Sequence, residues 1–171
     1  SNLLPGVEVS TGSLGQGLSV AAGLAAGLRL TGEDGLVFTV LGDGECEEGQ
    51  VWEAAMFAAH QKLGRLVAII DNNELQIDGC IHDVCDPGDL GEKFAAFGWN
   101  VIDVADGNDI AQVSAAVKQA KANRATGRPT MVILNTLKGC GVKWIEEMGA
   151  GNHNTNVSEE QAKAAGIDVK N

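Results

Sequence analysis

The sequence predicts an α/β fold, a doubly wound and mostly parallel sheet with helices on both of its faces. Three observations carry that reading. Segments with helical spacing of apolar residues alternate with short apolar runs along the chain, and this alternation calls for a parallel sheet flanked by helices. The short runs, Leu36 to Leu41 above all, are continuously apolar, as strands buried on two faces are. Several runs end in glycine, aspartate or asparagine, residues that terminate strands and open turns.

Leu14 to Arg29 is expected as the first helix. Leu14, Leu18, Ala21, Ala25 and Leu28 fall on one face, and Ala22, Gly23, Ala26 and Gly27 leave room for a second backbone. Leu36 to Leu41 follows as a strand covered on both faces. Glu47 to Lys62 reads as a helix stopped at Gly64, and Leu66 to Ile70 as a second buried strand. Asp89 to Phe97 is a short helix between Pro87 and Gly98, and Val101 to Val104 a third strand. Asp109 to Asn123 is a helix with Asn108 or Asp109 as N-cap. Thr130 to Leu134, introduced by Arg128-Pro129, is the fourth strand. Residues 1–151 are read as one domain. Residues 152–171 are read as a polar tail, in which Ser158-Glu159-Glu160-Gln161 has the capping-box pattern of a last short helix.

Bulk properties exclude several classes. A chain of 171 residues suits one domain, and its 44% hydrophobic and 20% charged content is that of a globular protein. A net charge of −11 argues against a nucleic-acid partner. The longest apolar run, Val20 to Leu28, is too short to span a membrane. Ser1-Asn2 leads straight into Leu3-Leu4-Pro5-Gly6 without the pattern of a secretory leader. Cysteines at 46, 80, 85 and 140 are too few for a disulfide scaffold, so reduced thiols and a cytoplasmic location are expected.

The chemistry-bearing residues collect after the strands, in "GDGE", "DNNELQIDG" and "NTLKGCG", and parallel sheets bind ligands at the carboxyl ends of their strands. Asp43 and Asn73 each lie just past a strand, and neighbouring strands run about 5 Å apart. A carboxylate and an amide oxygen form an incomplete set for a hard cation such as magnesium, which takes its other ligands from phosphates. Gly42 and Gly44 allow a sharp turn and a close backbone approach. The helix beginning near Glu47 turns its positive end toward anions. Together these residues point to a metal-bridged diphosphate. Taken singly, Asp-Gly and Asn-Asn are ordinary turn pairs and acidic residues merely complement a helix start; Glu45 and Glu47 are given only that role. Lys138 could reach an anionic group at the sheet edge or be solvated. His60 reads as structural, and His82 between Cys80 and Cys85 lacks the distant fourth ligand of a zinc site.

"GDGECEEG" followed by "IIDNN", with 27 residues between Gly44 and Asn72, resembles the thiamine-diphosphate-binding motif. "GVEVSTGSLGQGLSVAAGLA", "LQIDG" and "FAAFGWNVIDV" are similar to transketolases, and the resemblance runs from about Pro5 to about Gly141. "TGSLGQG" separates the chain from 1-deoxyxylulose-phosphate synthases and from the α subunits of 2-oxo acid dehydrogenases. Ser13, where many one-chain transketolases have proline, looks most like the N-terminal subunit of split, two-gene transketolases.

The resemblance implies the thiamine-diphosphate-binding fold, with thiamine diphosphate and magnesium, or calcium in its place, as cofactors. It implies that Asp43, Asn73 and the backbone carbonyl of Leu75 hold the metal, and that Gly42 and Gly44 face the diphosphate, Gly44 through its N–H. Ile77 would pack on the thiazolium ring, the Gly12 carbonyl would meet the cofactor's 4′-amino group, and Leu14 would lie close by. Glu48, on a helix face with Trp52, Ala55 and Ala59, would share a proton network with Glu53 across a dimer interface. A buried carboxylate there needs such a partner. His153 stands near where the family places a histidine that approaches diphosphate and substrate.

The family's activating glutamate belongs to a separate pyrimidine-binding domain, which nothing in this chain matches. The isolated chain is therefore expected to be inactive. It is expected to transfer a two-carbon ketol unit between sugar phosphates, as in the pentose phosphate pathway, once joined to a C-terminal subunit in a dimer of heterodimers. Ser1 stands almost at the cofactor loop, so an N-terminally truncated domain is expected. An enzyme specialised for another ketose and a non-catalytic fragment stay open as alternatives.

Overall fold

A computed structural model of the chain describes residues 4–167. Along them run α1 (Gln16–Thr31), β1 (Val37–Gly42), α2 (Gly49–His60), β2 (Leu66–Asn72), β3 (Leu75–Gln76), β4 (Gly79–Cys80) and α3 (Ile81–Cys85). They are followed by α4 (Leu90–Ala96), β5 (Asn100–Val104), α5 (Ile110–Asn123), β6 (Thr130–Asn135), α6 (Lys143–Glu146) and α7 (Glu159–Ala164). The main sheet has the order β1-β2-β6-β5 and every pairing in it is parallel. A two-residue hairpin, β3 with β4, stands apart.

Strand residues alternate between two cores, as the pleat requires. Ala68, Ile70, Met131 and Ile133 pack with α1, α2 and α4 on one face. Val67, Val132, Ile102 and Val104 pack with Ala116 and Ala120 of α5 on the other. The doubly wound arrangement is therefore present. Phe94 lies between Trp52 and Trp99, with ring centroids 5.1 and 5.3 Å away. The indole of Trp99 also donates to the Ala55 carbonyl at 3.0 Å. These contacts lock α2 to α4 and so fix the segment that precedes α2.

Three local expectations change. The β1 run was expected to be covered on both faces. Leu41 is buried, but Phe38 and Val40 are 42% and 67% exposed. The reason is geometric: β1 is an edge strand, and α5 packs over β5 and β6. Helix α1 starts two residues later than its periodicity suggests. Gly15 takes the left-handed conformation (φ 81°) as N-cap, which leaves Leu14 outside the helix and exposed. Leu18, Ala21 and Ala25 are buried as expected and Ala22 joins them, whereas Gly23 and Gly27 have no close neighbour. Helix α2 starts at Gly49 and not at Glu47. Gly44–Glu47 forms a 3-10 turn capped by Asp43, and Glu48 is extended (φ −70°, ψ 125°).

The hairpin β3–β4 and the short helices α3 and α6 have too few residues to show a period, and sequence reading passed over them. In the tail, α7 has the expected capping box: Gln161 N–H donates to Ser158 Oγ, and Ser158 N–H to Gln161 Oε1. Positions 168–171 of that tail lie outside the described residues. Among the described residues no helix is long and apolar enough to cross a membrane.

Candidate functional site

The pairing of β1 with β2 ends at Gly42 opposite Asp71, and the Asp43 N–H still reaches the Asp71 carbonyl at 3.2 Å. This places Asp43 beside the turn that leaves β2. Its side chain is 2% exposed. Oδ1 accepts the Gly44 N–H at 2.7 Å and Oδ2 the Glu74 N–H at 2.5 Å. Asn73 folds its Oδ1 onto the Leu75 N–H at 3.1 Å. Between them Glu74 adopts φ 61°, a left-handed conformation that a non-glycine residue takes only under constraint. Asp43 and Asn73, expected to converge from adjacent strand ends, are thus tied into one turn.

Burial pushes the Asp43 carboxyl above its ordinary value. The N–H groups of Gly44, Glu74 and Asn73 pull it back, and the charge of Asp71 adds to the upward push. Among the described residues no basic side chain contributes to that balance. A buried carboxylate without a cation is costly, and a divalent ion bound to it would remove the cost. The donor types fit a hard cation: the Asp43 carboxylate after β1, and after β2 the Asn73 amide oxygen and the Leu75 backbone carbonyl two residues apart. No three His, Cys, Asp or Glu side chains gather as a metal cluster among the described residues. Three protein oxygens would leave about half of an octahedral magnesium shell to a ligand and water. Gly44 is less free than expected, because its N–H is already given to Asp43. A Cβ there would stand 3.0 Å from Gln76 Oε1, so what the position supplies is room.

The other glycine-rich segment comes to the same place. Residues 11–14, which include Gly12 and Leu14, are exposed, and Gly15 behind them is buried against the turn after β1. A Cβ on Gly15 would lie 2.8 Å from the Glu48 Cβ. Gln50 Nε2 reaches the Leu14 carbonyl at 3.4 Å. Glu45 makes the firmer link: Oε1 accepts the Gly15 N–H at 2.9 Å and Oε2 the Gly42 N–H at 3.1 Å. Sequence reading assigned Glu45 only to a helix start. Its partner lies thirty residues away, and no local spacing reveals such a bond; the one hint was that α1 has no acidic residue in its own first turn. Beside it the buried Cys46 thiol is pushed up to about 12, first by burial and then by the charges of Glu45 and Asp43.

The remaining expected residues are scattered by comparison. Ile77 is 69% exposed at the tip of the β3–β4 hairpin. Glu48 is exposed at the N-cap of α2, so in this chain it is not on a buried helix face with Trp52 and Ala55. His153 is exposed and follows a 3-10 turn, Gly149–Asn152, that packs against β3. Lys138 lies half-buried in the turn after β6.

Two clefts open at the sheet rim. One of about 570 Å³ is bounded by Asn72, Glu74, His82, Asp89, Asp103 and Asn135. The other, of about 400 Å³, is bounded by Asn73, Asp106, Asn108, Asn135, Thr136 and Leu137. Neither is bounded by Asp43, Gly44 or residues 11–14, but Glu74, whose N–H bonds Asp43, borders both, and Asn73 borders the smaller. His82, beside the larger cleft, bridges Asp86 at 3.0 Å and Glu74 at 3.7 Å.

Comparison with known proteins converges on one family. Residues 2–168 match the family described as transketolase, thiamine diphosphate binding domain. The chain is 44% identical over 165 residues to a 6-deoxy-6-sulfo-D-fructose transketolase subunit, SqwG, of a Clostridium species, covering 96% of this chain and 58% of that one. It is 40% identical over 156 residues to one of the apulose-4-phosphate transketolase subunits of Actinobacillus succinogenes, covering 91% and 55%. The chain thus spans about half the length of these curated relatives. Among solved structures, a transketolase variant from Pichia stipitis superposes with a TM-score of 0.84 at 30% identity, over 96% of this chain and 26% of that one.

Proposed function

Because this chain belongs to the transketolase family, in its thiamine diphosphate binding domain, we propose that it is the diphosphate- and magnesium-binding half of a split transketolase. The observation that carries this reading is Asp43, a buried carboxylate with no basic partner among the described residues, tied through the Glu74 N–H to the turn that bears Asn73. Asp43, Asn73 and the Leu75 carbonyl hold magnesium, with calcium as a substitute. Gly42 and Gly44 give the diphosphate its close approach to backbone. Gly12, Leu14 and Ile77 border the rest of the cofactor, and Lys138 and His153 meet anionic or hydroxyl groups of cofactor and substrate. When bound, thiamine diphosphate supplies the carbon that carries the two-carbon ketol unit between sugar phosphates. This chain's residues anchor and orient it and neutralise its charge through the metal.

The relatives named as subunits and the exposure of residues 11–14 beside the Asp43 turn support a site completed by other chains. One is a C-terminal subunit with the pyrimidine-binding domain. Another is a second copy of this chain, in a dimer of heterodimers. Helices α1 and α2 pack together and leave Val20, Leu24, Met56 and Phe57 exposed, and Glu48 stands at the start of α2. We assign the Glu48 and Glu53 contact across two copies to this surface.

The test has two readouts. Thiamine diphosphate with magnesium raises the melting temperature of the protein, as binding to the native state requires. A ketol-transfer assay gives no turnover for the chain alone and gives turnover with its C-terminal partner. Turnover by the chain alone contradicts the split assignment, and an unchanged melting temperature with no turnover in the complex leaves a non-catalytic domain. A second reading, an enzyme specialised for a ketose outside the pentose phosphate pathway, is supported by the two relatives whose names specify a sulfosugar and apulose 4-phosphate. A panel of ketose donors assayed with the complex separates the two.

A further inference from the structure

Glu45 has no part in the reading above, yet it joins the two segments on which that reading depends. Gly12 and Leu14 lie on the exposed loop before Gly15; Asp43 and Gly44 lie in the turn after Gly42. One carboxylate accepts the N–H of Gly15 through Oε1 and that of Gly42 through Oε2. Both are charge-assisted bonds, stronger than neutral ones. The Gly15 end also brings a negative charge to the start of α1, a helix of 16 residues with no side-chain cap and no acid in its first turn. At the Gly42 end the carboxylate occupies the side of β1 that faces away from β2. The next N–H, that of Asp43, points to β2, and successive strand N–H groups alternate in direction. Glu45 thus stands outside the sheet edge and holds the α1 start against it.

We propose that Glu45 is a positioning residue that sets the spacing between the loop contacting the cofactor's pyrimidine end and the turn contacting its diphosphate end. The proposal rests on the cofactor reading above. The two ends depend on Glu45 unequally. The turn at Asp43 keeps its own bonds without it: Asp43 N–H to Asp71, Gly44 N–H and Glu74 N–H to the Asp43 carboxylate, and Gly42 paired against Asp71. The loop is tied to this end of the sheet by the Gly15 bond and the longer Gln50 bond to Leu14, and within itself the Gln16 N–H reaches the Ser13 carbonyl at 3.4 Å. Weakening Glu45 therefore releases the loop while the turn stays in place.

This asymmetry sets the experiment, performed on this chain assembled with its C-terminal partner, with two probes. Magnesium pyrophosphate engages the turn alone, and magnesium thiamine diphosphate engages turn and loop together. Glu45→Gln keeps the shape of the side chain but replaces one acceptor by a donor that faces an N–H. Thiamine diphosphate is expected to bind about tenfold more weakly to Glu45→Gln. Pyrophosphate affinity is expected to stay within about twofold. Glu45→Ala, which removes both acceptors, is expected to widen the gap between probes, and melting curves verify that both variants fold. If Glu45→Gln changes neither probe, or weakens the two equally, the positioning role is wrong. If the wild-type protein binds neither probe, the cofactor reading itself falls, and the proposal falls with it.

Discussion

At the β1–β2 end of the rim, the carboxylate of Asp43 is buried, takes backbone N–H groups and, among the described residues, has no basic side chain beside it. At the β6–β5 end, polar side chains satisfy one another. Asn72 Nδ2 donates to Asn135 Oδ1 at 2.8 Å, Asn135 Nδ2 to Asp103 Oδ1 at 2.7 Å, and the Leu137 N–H to Asn108 Oδ1 at 2.7 Å. Similar residue types therefore do different work a few strands apart. Asn72 and Asn73 show the difference most closely, one closing the network toward β6 and the other folded over the turn beside Asp43. A polar strand end is structural when its groups complete each other, and a candidate binding site when one charge is left uncompensated.

Substitutions on the two sides sharpen or break this contrast. The largest effect belongs to Asp43→Ala, which lowers the affinity for magnesium thiamine diphosphate by about a hundredfold or more, equal to about 2.7 kcal/mol. Calorimetry measures it, and an unchanged affinity would erase the distinction between the two ends. Asn73→Ala comes next. It removes an amide oxygen and the support of the Leu75 N–H, and should cost about tenfold in the same titration. Asn135→Ala, on the other side, breaks the Asn72–Asn135–Asp103 chain. It should lower stability by about 1 kcal/mol, a shift of about 2–4 °C in melting temperature. Its cofactor affinity should match the wild type, and a loss rivalling that of Asn73→Ala would show that the network is part of the site.

How much of this was legible beforehand follows from the range of the interactions. The α/β alternation and the core residues Leu18, Ala21, Ala25 and Leu66 are set by periodicity, which acts within a few residues. That Asp43 and the turn bearing Asn73 lie side by side needed only parallel neighbours and strand ends, and β1 and β2 supply both. The exposure of Phe38 and Val40 was not readable, because it depends on which strand lies at the edge and how far α5 reaches. Glu48 was misplaced for a local reason. Asp43 caps a 3-10 turn in which the chain delays entry to α2, and the helix pattern alone extends smoothly through it. The two bonds of Glu45 were invisible for the opposite reason, since one joins residues thirty positions apart.

The smallest expected effect concerns Asp109, the N-cap of α5, the helix that follows the β5 rim. The Ala111 N–H, with a further bond from the Gln112 side chain, holds its carboxyl below the usual value of 3.8. A lowered folded-state value contributes stability that is present above the unfolded value and is lost as pH falls through the folded one. Asp109→Ala should therefore melt earlier than the wild type at about pH 6, and the difference should shrink as pH falls below the usual carboxyl value of 3.8. A gap that persists in acid would show that the cap acts through something other than its charge.

The central claim is that a divalent cation bridges Asp43 to a diphosphate at the β1–β2 end. It is tested most directly by calorimetric titration of the full-length protein with thiamine diphosphate, with magnesium present and again after chelation. The account predicts saturable binding with magnesium and its loss on chelation. Equal affinity under the two conditions would contradict it.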